Sequence, residues 1–230
     1  MLAILNREIP ILFGFICVIY LSKNYLLEIP KKGKNCQIYH FQRKESKLAH
    51  FLLDNLQGIE IGGSLINPFC LNTINIDYTN DTGTGYKRSE IRYSKGGYLH
   101  VDVVASGDKL LFKNETYDFV ISSHAIEHFY DPIKTIEEWF RVIKPNGYIF
   151  MIIPHKERTF DRLKNRTTLN ELLFRHSNNS NLNPLDGHHN IWITEDMIKL
   201  CKNQKWKVLT WSDKDDVFGN GFTIVLKKET

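Results

Sequence analysis

The sequence predicts an α/β fold: a Rossmann-like, doubly wound sheet of mostly parallel strands with an antiparallel last strand. Three observations support it. Short segments rich in β-branched and aromatic residues recur along the chain and are apolar nearly throughout, as is typical of strands buried on both faces of a parallel sheet. Segments with apolar residues at helical spacing lie between several of them. The last two apolar segments are joined by a link too short for a crossover helix, so these two strands are expected to run antiparallel.

Length and composition indicate one globular domain. The chain has 230 residues, 42% hydrophobic and 24% charged, which leaves no room for a second full domain. The net charge of +4 is too small for nucleic-acid binding to be inferred from bulk charge. The cysteines are widely spaced, which argues against a disulfide framework and a thiolate zinc site and favours a reducing cytoplasm. They are Cys17, Cys36, Cys70 and Cys201.

The amino-terminal segment, residues 1–40, is predicted to precede a single domain over residues 41–230. Residues 9–21 form an apolar run that is shorter than the roughly 20 residues of a membrane-spanning helix, and a lysine-rich stretch follows it. Two interpretations stay open. The segment docks peripherally on an anionic membrane surface, or it packs on the domain or in a dimer contact. The sequence predicts no oligomeric state.

Periodicity and turn residues predict the elements of the domain. The predicted strands are Gly58–Gly62, Leu71–Asp77, Tyr98–Val104, Tyr117–Ser123, Gly147–Pro154, Lys207–Asp213 and Gly221–Lys228. The predicted helices are Glu45–Leu56, one capped by Asp131 and ended by Pro145 and Gly147, a short one near Thr168–Phe174, and one that begins at Thr194. Residues 156–192 show weak periodicity and are predicted to form an insertion that binds substrate.

Polar and glycine residues follow the first two predicted strands. Gly62 and Gly63 come directly after the first strand, where glycine lets a ligand approach the backbone. Asp77 ends the second strand, where a carboxylate can accept both hydroxyls of a ribose. Each residue type also has a simpler interpretation, as an ordinary turn or as a capping aspartate. Together, the glycines and Asp77 indicate a nucleoside ligand.

A longer run of sequence resembles a known family. The segments EIGG, NID and SGDKLLFKNETYDFVISSHAIEHFYDPIKTIEEWFRVIKPNGYIFMIIP resemble the class I S-adenosylmethionine-dependent methyltransferases, particularly the type 11 methyltransferase domain, over roughly residues 59–154. The resemblance implies a seven-stranded sheet and S-adenosylmethionine as cofactor. Two departures from the family pattern are a G-G-S first loop and Ser106, where similar proteins often have an acid.

By position, the resemblance also implies which residues contact the cofactor. On the methionine side it implies Glu60, Gly62 and Gly63, and at the ribose it implies Asp77. Around adenine it implies Asp102, Gly107 and Asp108. Beside the transferred methyl it implies Ser122, Ser123 and His124.

The reaction implied is methyl transfer to a small-molecule, sugar or lipid-linked glycan acceptor, with a hydroxyl as the expected nucleophile. Removing its proton calls for a base that titrates near neutral pH. The candidate bases are His124, His155, His188 and His189, and the first three are predicted to be catalytic. His128 is interpreted as a helix residue engaged in packing. Asp186, His188 and His189 could ligate a divalent metal, but their spacing is a poor metal signature, so no metal is predicted.

Other functions fit the sequence less well. A non-catalytic S-adenosylmethionine-binding module of the same fold is the main alternative, because the glycine loop departs from the family pattern. A nicotinamide-dependent dehydrogenase is disfavoured by the missing G-x-G-x-x-G fingerprint and by the closing hairpin. A nucleic-acid acceptor is not expected, because an Asn/Asp-Pro-Pro-aromatic element is absent after the fourth strand. The predicted location is cytoplasmic, with membrane association through residues 9–21 as the open alternative.

Overall fold

The structure is a computed structural model that describes residues 46–63, 69–93, 100–178 and 187–230. The predicted segment 1–40, its boundary with the domain and the apolar run 9–21 lie outside the described residues. Among the residues that are described, no helix has the length and apolar character needed to cross a membrane.

Within the described residues, seven strands form one sheet in the order β3-β2-β1-β4-β5-β7-β6. The strands are β1 (Gly58–Ile61), β2 (Thr73–Asp77), β3 (Val103–Val104), β4 (Tyr117–Ser123), β5 (Ile143–Pro154), β6 (Lys207–Ser212) and β7 (Gly221–Lys227). Strands β1 to β5 pair in parallel, and β7 runs antiparallel to both β5 and β6. The predicted α/β fold class is therefore confirmed. The reversed strand lies inside the sheet, and β6 forms the edge.

Five α-helices and three short 3₁₀ helices accompany the sheet in the described part of the chain. The α-helices are α1 (Lys47–Leu53), α2 (Gly85–Tyr93), α3 (Pro132–Val142), α4 (Leu169–Ser177) and α5 (Thr194–Asn203). The 3₁₀ helices are Ile126–His128, Lys156–Arg158 and Phe160–Leu163. Helix α2 was not predicted, because its sequence GYKRSEIRY has too few apolar residues to show a helical period.

The boundary between α3 and β5 differs from its prediction. Helix α3 begins as expected, with Asp131 accepting a hydrogen bond from the Lys134 N–H at 3.0 Å and Pro132 in the first turn. It ends at Val142, and β5 starts directly at Ile143. The strand therefore already contains the segment with Pro145 that was expected to close the helix.

Strand β3 and the cysteines also depart from expectation. β3 has two residues, Val103–Val104, and part of the longer strand predicted from Tyr98 falls outside the described residues. Cys201 is a buried free thiol, whereas Cys70 is disulfide-bonded. The widely spaced cysteines argued against a disulfide framework, and Cys70 departs from that expectation.

The insertion over residues 156–192 leaves and rejoins the domain at one place. His155, which follows β5, pairs with Trp192 in a parallel bridge, and the Lys156 N–H donates to the Trp192 carbonyl at 2.8 Å. Because β5 ends at this bridge, the insertion begins and ends at the carboxyl edge of the sheet. In open α/β sheets this edge is where ligands bind.

Candidate functional site

The strand order reverses between β1 and β4, and the glycine turn after β1 lies at that point. Gly62 has a φ of +66°, and a Cβ placed on it would lie 3.0 Å from the Ala125 Cβ. A Cβ on Gly63 would lie 2.2 Å from the Asn75 side-chain oxygen. Both positions therefore need glycine, and the turn packs against β2 and against the segment that follows β4.

Glu60 is a buried acid in β1, with 7% of its surface exposed. Its Oε2 accepts a hydrogen bond from the Thr73 hydroxyl at 3.2 Å, and within the described part of the chain its Oε1 has no hydrogen-bond partner. Burial raises the pKa of Glu60 from 4.5 to about 8. The side chain is therefore mostly protonated at neutral pH and offers a buried, unsatisfied polar atom beside the glycine turn.

Asp77 ends β2 as predicted, but its carboxylate is already engaged. Its Oδ2 lies 2.6 Å from the Lys87 Nζ of α2, and its Oδ1 accepts a hydrogen bond from the Tyr78 N–H at 2.7 Å. Asp77 is 4% exposed and Lys87 is 2% exposed. In this conformation the Asp77 carboxylate is buried and its charge is already neutralised by Lys87.

The residues implied around adenine have structural partners. The Asp102 carboxylate accepts from the Asn75 N–H at 2.8 Å. Asp108 forms an ion pair with Lys134 at 3.0 Å and accepts from the Ser106 hydroxyl. Burial raises the pKa of Asp108, but the hydrogen bonds from Ser106 and Lys134 outweigh this effect and hold that pKa below its ordinary value.

Gly107 packs tightly against the end of β1. A Cβ on it would lie 2.7 Å from Ile61 and from Phe129, and its carbonyl accepts from the Trp139 Nε1 at 2.9 Å. This turn thus connects β1 to α3, and of the three residues implied around adenine it is the one that lies against the β1 end of the site.

A pocket of about 400 Å³ opens where β4 and β5 end. It is lined by His124, Glu127, His128, Pro154, Arg158, Thr159, Phe160, His188 and Asn220. Two of the three predicted catalytic histidines, His124 and His188, meet there. The predicted substrate-binding insertion contributes four of the lining residues, from Arg158 to His188.

His155 does not line this pocket. It is buried, its Nδ1 accepts a hydrogen bond from the Glu157 N–H at 3.1 Å, and its ring packs edge-on against Phe222. Burial and the neighbouring Arg158 hold the pKa of His155 below its usual range. The structure therefore places this histidine at the base of the insertion, apart from His124 and His188.

His124 connects the glycine turn to the pocket. It follows β4 with a φ of +51°, an uncommon conformation for a residue with a Cβ. Its N–H donates to the Ile152 carbonyl at 2.9 Å, and its ring contacts Phe218. The next residue, Ala125, is the one that approaches Gly62, so the pocket wall and the glycine turn are adjacent. The serines before His124 end β4: Ser122 is buried and pairs with Ile61, and Ser123 pairs with Ile152.

Glu127 and His128 are pocket residues that the sequence reasoning missed. They lie on the 3₁₀ helix after β4, and their histidine partner His188 comes from the insertion. The Nε2 atoms of His128 and His188 each lie 3.8 Å from the Glu127 Oε1. The signal in the sequence was the pair of ionisable residues directly after a buried strand, at the edge where ligands bind.

The predicted metal set is only partly placed. Asp186 lies outside the described residues. His189 turns its ring toward Tyr130, and its N–H donates to the Glu127 carbonyl at 2.9 Å. The set that the structure does bring together is Glu127, His128 and His188, whose ligand atoms all lie within 4.8 Å of one another.

Comparison with known proteins agrees with this architecture. Residues 65–151 match the family model described as a methyltransferase domain, and the resemblance to class I S-adenosylmethionine-dependent methyltransferases is confirmed over this segment. Methyltransferase domains of this class use S-adenosylmethionine as cofactor. None of the curated proteins matches the chain.

Several solved structures are similar in fold. A methyltransferase from Thermotoga maritima, titled as a possible histamine N-methyltransferase, is 18% identical, with a TM-score of 0.49 and coverage of 79% of this chain and 86% of its own. A methyltransferase from Aquifex aeolicus is 15% identical, with a TM-score of 0.48 and coverage of 78% and 86%. One from Methanosarcina mazei is 17% identical, with a TM-score of 0.48 and coverage of 79% and 96%. Likenesses this distant carry no argument about the acceptor.

Proposed function

We propose that this chain transfers the methyl group of S-adenosylmethionine to a hydroxyl of a small-molecule or glycan acceptor bound in the pocket beside His124. The observation that carries the proposal is the contact between the glycine turn and the segment after β4: Gly62 approaches Ala125, and His124 lines the pocket. A donor held at the turn and an acceptor held in the pocket would therefore be neighbours. S-adenosylmethionine supplies a methyl group already activated by its sulfonium, so the protein mainly has to align the two molecules.

The described residues fit the donor better at its methionine end than at its ribose. Gly62 and Gly63 let the turn after β1 pack closely against Ala125 and Asn75. Near the ends of β1 and β4, the Glu60 Oε1 and the Ser122 hydroxyl are buried polar atoms that have no hydrogen-bond partner among the described residues. At the ribose end, the Lys87 ammonium already neutralises Asp77. Donor binding would therefore require Lys87 to leave this ion pair.

The expected base is a histidine of the pocket. Burial and the nearby His188 lower the pKa of His128 to about 4, so its ring is neutral at physiological pH but is a weak proton acceptor. His124 and His188 face the same pocket and are the candidates for removing the hydroxyl proton. His155 is held by its own backbone contact outside the pocket and is the weakest of the three sequence-based candidates.

The size and lining of the pocket support a small-molecule or glycan acceptor. A volume of about 400 Å³ is within the range of small-molecule sites, and histidine, arginine, threonine and asparagine side chains offer hydrogen bonds to a polyhydroxylated ligand. A lipid-linked glycan would also suit the apolar and basic residues 9–34 of the sequence.

The test has two steps. Calorimetry of the full chain with S-adenosylmethionine is expected to show one saturable site, which Gly62→Ala should weaken because its Cβ would meet Ala125 and its φ is positive. Gly85→Ala, whose Cβ would have open space, is the matched control. Radiolabelled donor and fractionated cell extract should then give a labelled product.

Two results would contradict the proposal. If the wild-type chain does not bind S-adenosylmethionine, the proposed methyltransferase function is refuted. Donor binding without transfer to any fraction would favour the non-catalytic binding module, which the departure of the G-G-S loop from the family pattern also supports.

A further inference from the structure

We propose that Glu127, His128 and His188 form a binding site for one divalent transition-metal ion at the wall of the pocket. The three residues come from two separate parts of the chain, the 3₁₀ helix after β4 and the end of the insertion. Two imidazole nitrogens and a carboxylate are a donor set that suits ions such as Zn²⁺ and Mn²⁺ better than Mg²⁺.

The carboxylate of Glu127 is the first indication of a ligand. Its side chain is 1% exposed, and among the described residues neither of its two oxygens has a hydrogen-bond partner. A buried carboxyl group without hydrogen bonds is costly. A cation bound between the two histidines would supply the partner that both oxygens lack.

Hydrogen bonds at the far side of each imidazole direct a lone pair toward Glu127. The His128 Nδ1 lies 2.9 Å from the Gly187 carbonyl, which can only accept, so this nitrogen carries the proton and Nε2 is the free acceptor. The His188 Nδ1 lies 2.5 Å from the Asp161 carboxylate, which orients His188 in the same way. Metal-binding histidines commonly make such contacts to a carbonyl or a carboxylate.

The three ligand atoms lie within 4.8 Å of one another, and metal binding would draw them closer together. The Nε2 atoms of His128 and His188 each lie 3.8 Å from the Glu127 Oε1. Ligand atoms around a tetrahedral Zn²⁺ with bonds of roughly 2.0 to 2.1 Å lie about 3.4 Å apart. The two rings meet edge to face, with centroids 4.8 Å apart, so modest side-chain rotations would bring the three atoms to bonding distance.

The backbone around the cluster keeps its two halves together. The N–H groups of His189 and Asn190 both donate to the Glu127 carbonyl, at 2.9 and 3.1 Å. The Asn190 side chain donates to the Phe129 carbonyl at 2.6 Å. The end of the insertion is thus fastened to the 3₁₀ helix, so the ligands are positioned before any ion arrives.

Three protein ligands leave at least one coordination position for another molecule. All three residues line the pocket, so that position would face the acceptor. On the basis of the proposed function, the ion would hold an acceptor oxygen and lower the pKa of its hydroxyl. His188 would then serve as a ligand, and His124 would be the base that removes the proton. The binding site itself does not depend on methyl transfer and can be tested without it.

The experiment measures metal binding by the full chain after removal of metal with a chelator. Titration with Zn²⁺ is expected to show one ion per chain, and titration with Co²⁺ should produce visible absorption from the bound ion. Glu127→Gln and His188→Gln should each weaken Zn²⁺ binding by about 100-fold or more, because each removes a direct ligand. His189→Gln, one residue from His188 with its ring against Tyr130, is the matched control and should bind as the wild type does.

The outcomes separate this site from the proposed function. Two results would overturn the metal site. One is the absence of saturable Zn²⁺ binding by the wild-type chain, and the other is Zn²⁺ binding by Glu127→Gln and His188→Gln with the affinity of the wild type. If one variant fails to fold, the other and the Co²⁺ spectrum of the wild type still decide. Metal binding without any methyl transfer would support the metal site and refute the methyltransferase function. Methyl transfer without metal binding would support the methyltransferase function and refute the metal site.

Discussion

Replacing Glu60 with glutamine should stabilise the metal-free and ligand-free protein at alkaline pH. Burial raises the pKa of Glu60 from 4.5 to about 8. As the pH rises, this carboxyl group therefore ionises in the unfolded chain before it ionises in the folded protein. The free energy of unfolding of the wild type therefore falls between about pH 4.5 and pH 8. At about 1.36 kcal/mol for each tenfold change in proton affinity, the total loss amounts to about 5 kcal/mol.

Glutamine keeps the acceptor for the Thr73 hydroxyl and cannot ionise. The variant should therefore match the wild type at pH 4 and should exceed it by several kcal/mol at pH 9. Urea unfolding followed by tryptophan fluorescence at the two pH values measures the difference. Glu137→Gln, at an exposed position of α3, removes the same charge without relieving burial and is the control.

The result that would refute this reasoning is a Glu60→Gln effect of the same size at both pH values, or a loss of stability at pH 9. The first would mean that the change acts through packing and not through ionisation. The second would mean that the carboxylate has a stabilising partner when it is charged. An equal gain for Glu137→Gln at pH 9 would assign the effect to the net charge of the protein.

Three further expectations concern other parts of the molecule. Replacing Lys87 alone by methionine should lower the free energy of unfolding by about 3 to 5 kcal/mol, because it leaves the buried Asp77 carboxylate without its counter-charge. Adding Asp77→Leu should recover most of that loss. Urea unfolding of both variants measures this, and a fully additive second loss would contradict it. Asp161→Asn should weaken Zn²⁺ binding by roughly 10- to 100-fold, because it removes the carboxylate that orients His188. An unchanged affinity in the Zn²⁺ titration would count against this orienting role. If the amino-terminal segment docks on membranes, full-length protein should sediment with anionic vesicles and not with neutral ones. Replacing the three lysines within residues 31–34 by glutamate should abolish this sedimentation. Equal sedimentation with anionic and neutral vesicles would reject electrostatic docking.

Much of the fold was predictable because its signals are local. The run Tyr117–Ser123 is apolar enough to be recognised as a buried strand, and β4 has these bounds. Asp131 and Pro132 together mark a helix start through the geometry of the first turn. The short link before Gly221 required an antiparallel pair, and β6 and β7 form one.

The elements that sequence reasoning missed lack such local signals. Helix α2 has few apolar residues and stands next to a buried strand end, where its Lys87 neutralises Asp77. Nothing within the sequence of α2 shows that this lysine is buried. The carboxyl group predicted to meet a ribose therefore carries an ion pair that only the packing of α2 on β2 produces.

By itself, the sequence determined the fold class, the carboxyl ends of the strands to within one residue and the resemblance to a methyltransferase domain. Periodicity, capping and turn chemistry act over a few neighbouring residues. The tertiary structure decided which polar side chains meet. Glu127 and His188 lie 61 positions apart along the chain, and they approach because the insertion returns to the end of β5 and its backbone binds the turn after β4. Contacts made by such a return depend on the path of the whole chain, so no short pattern around either residue could predict them.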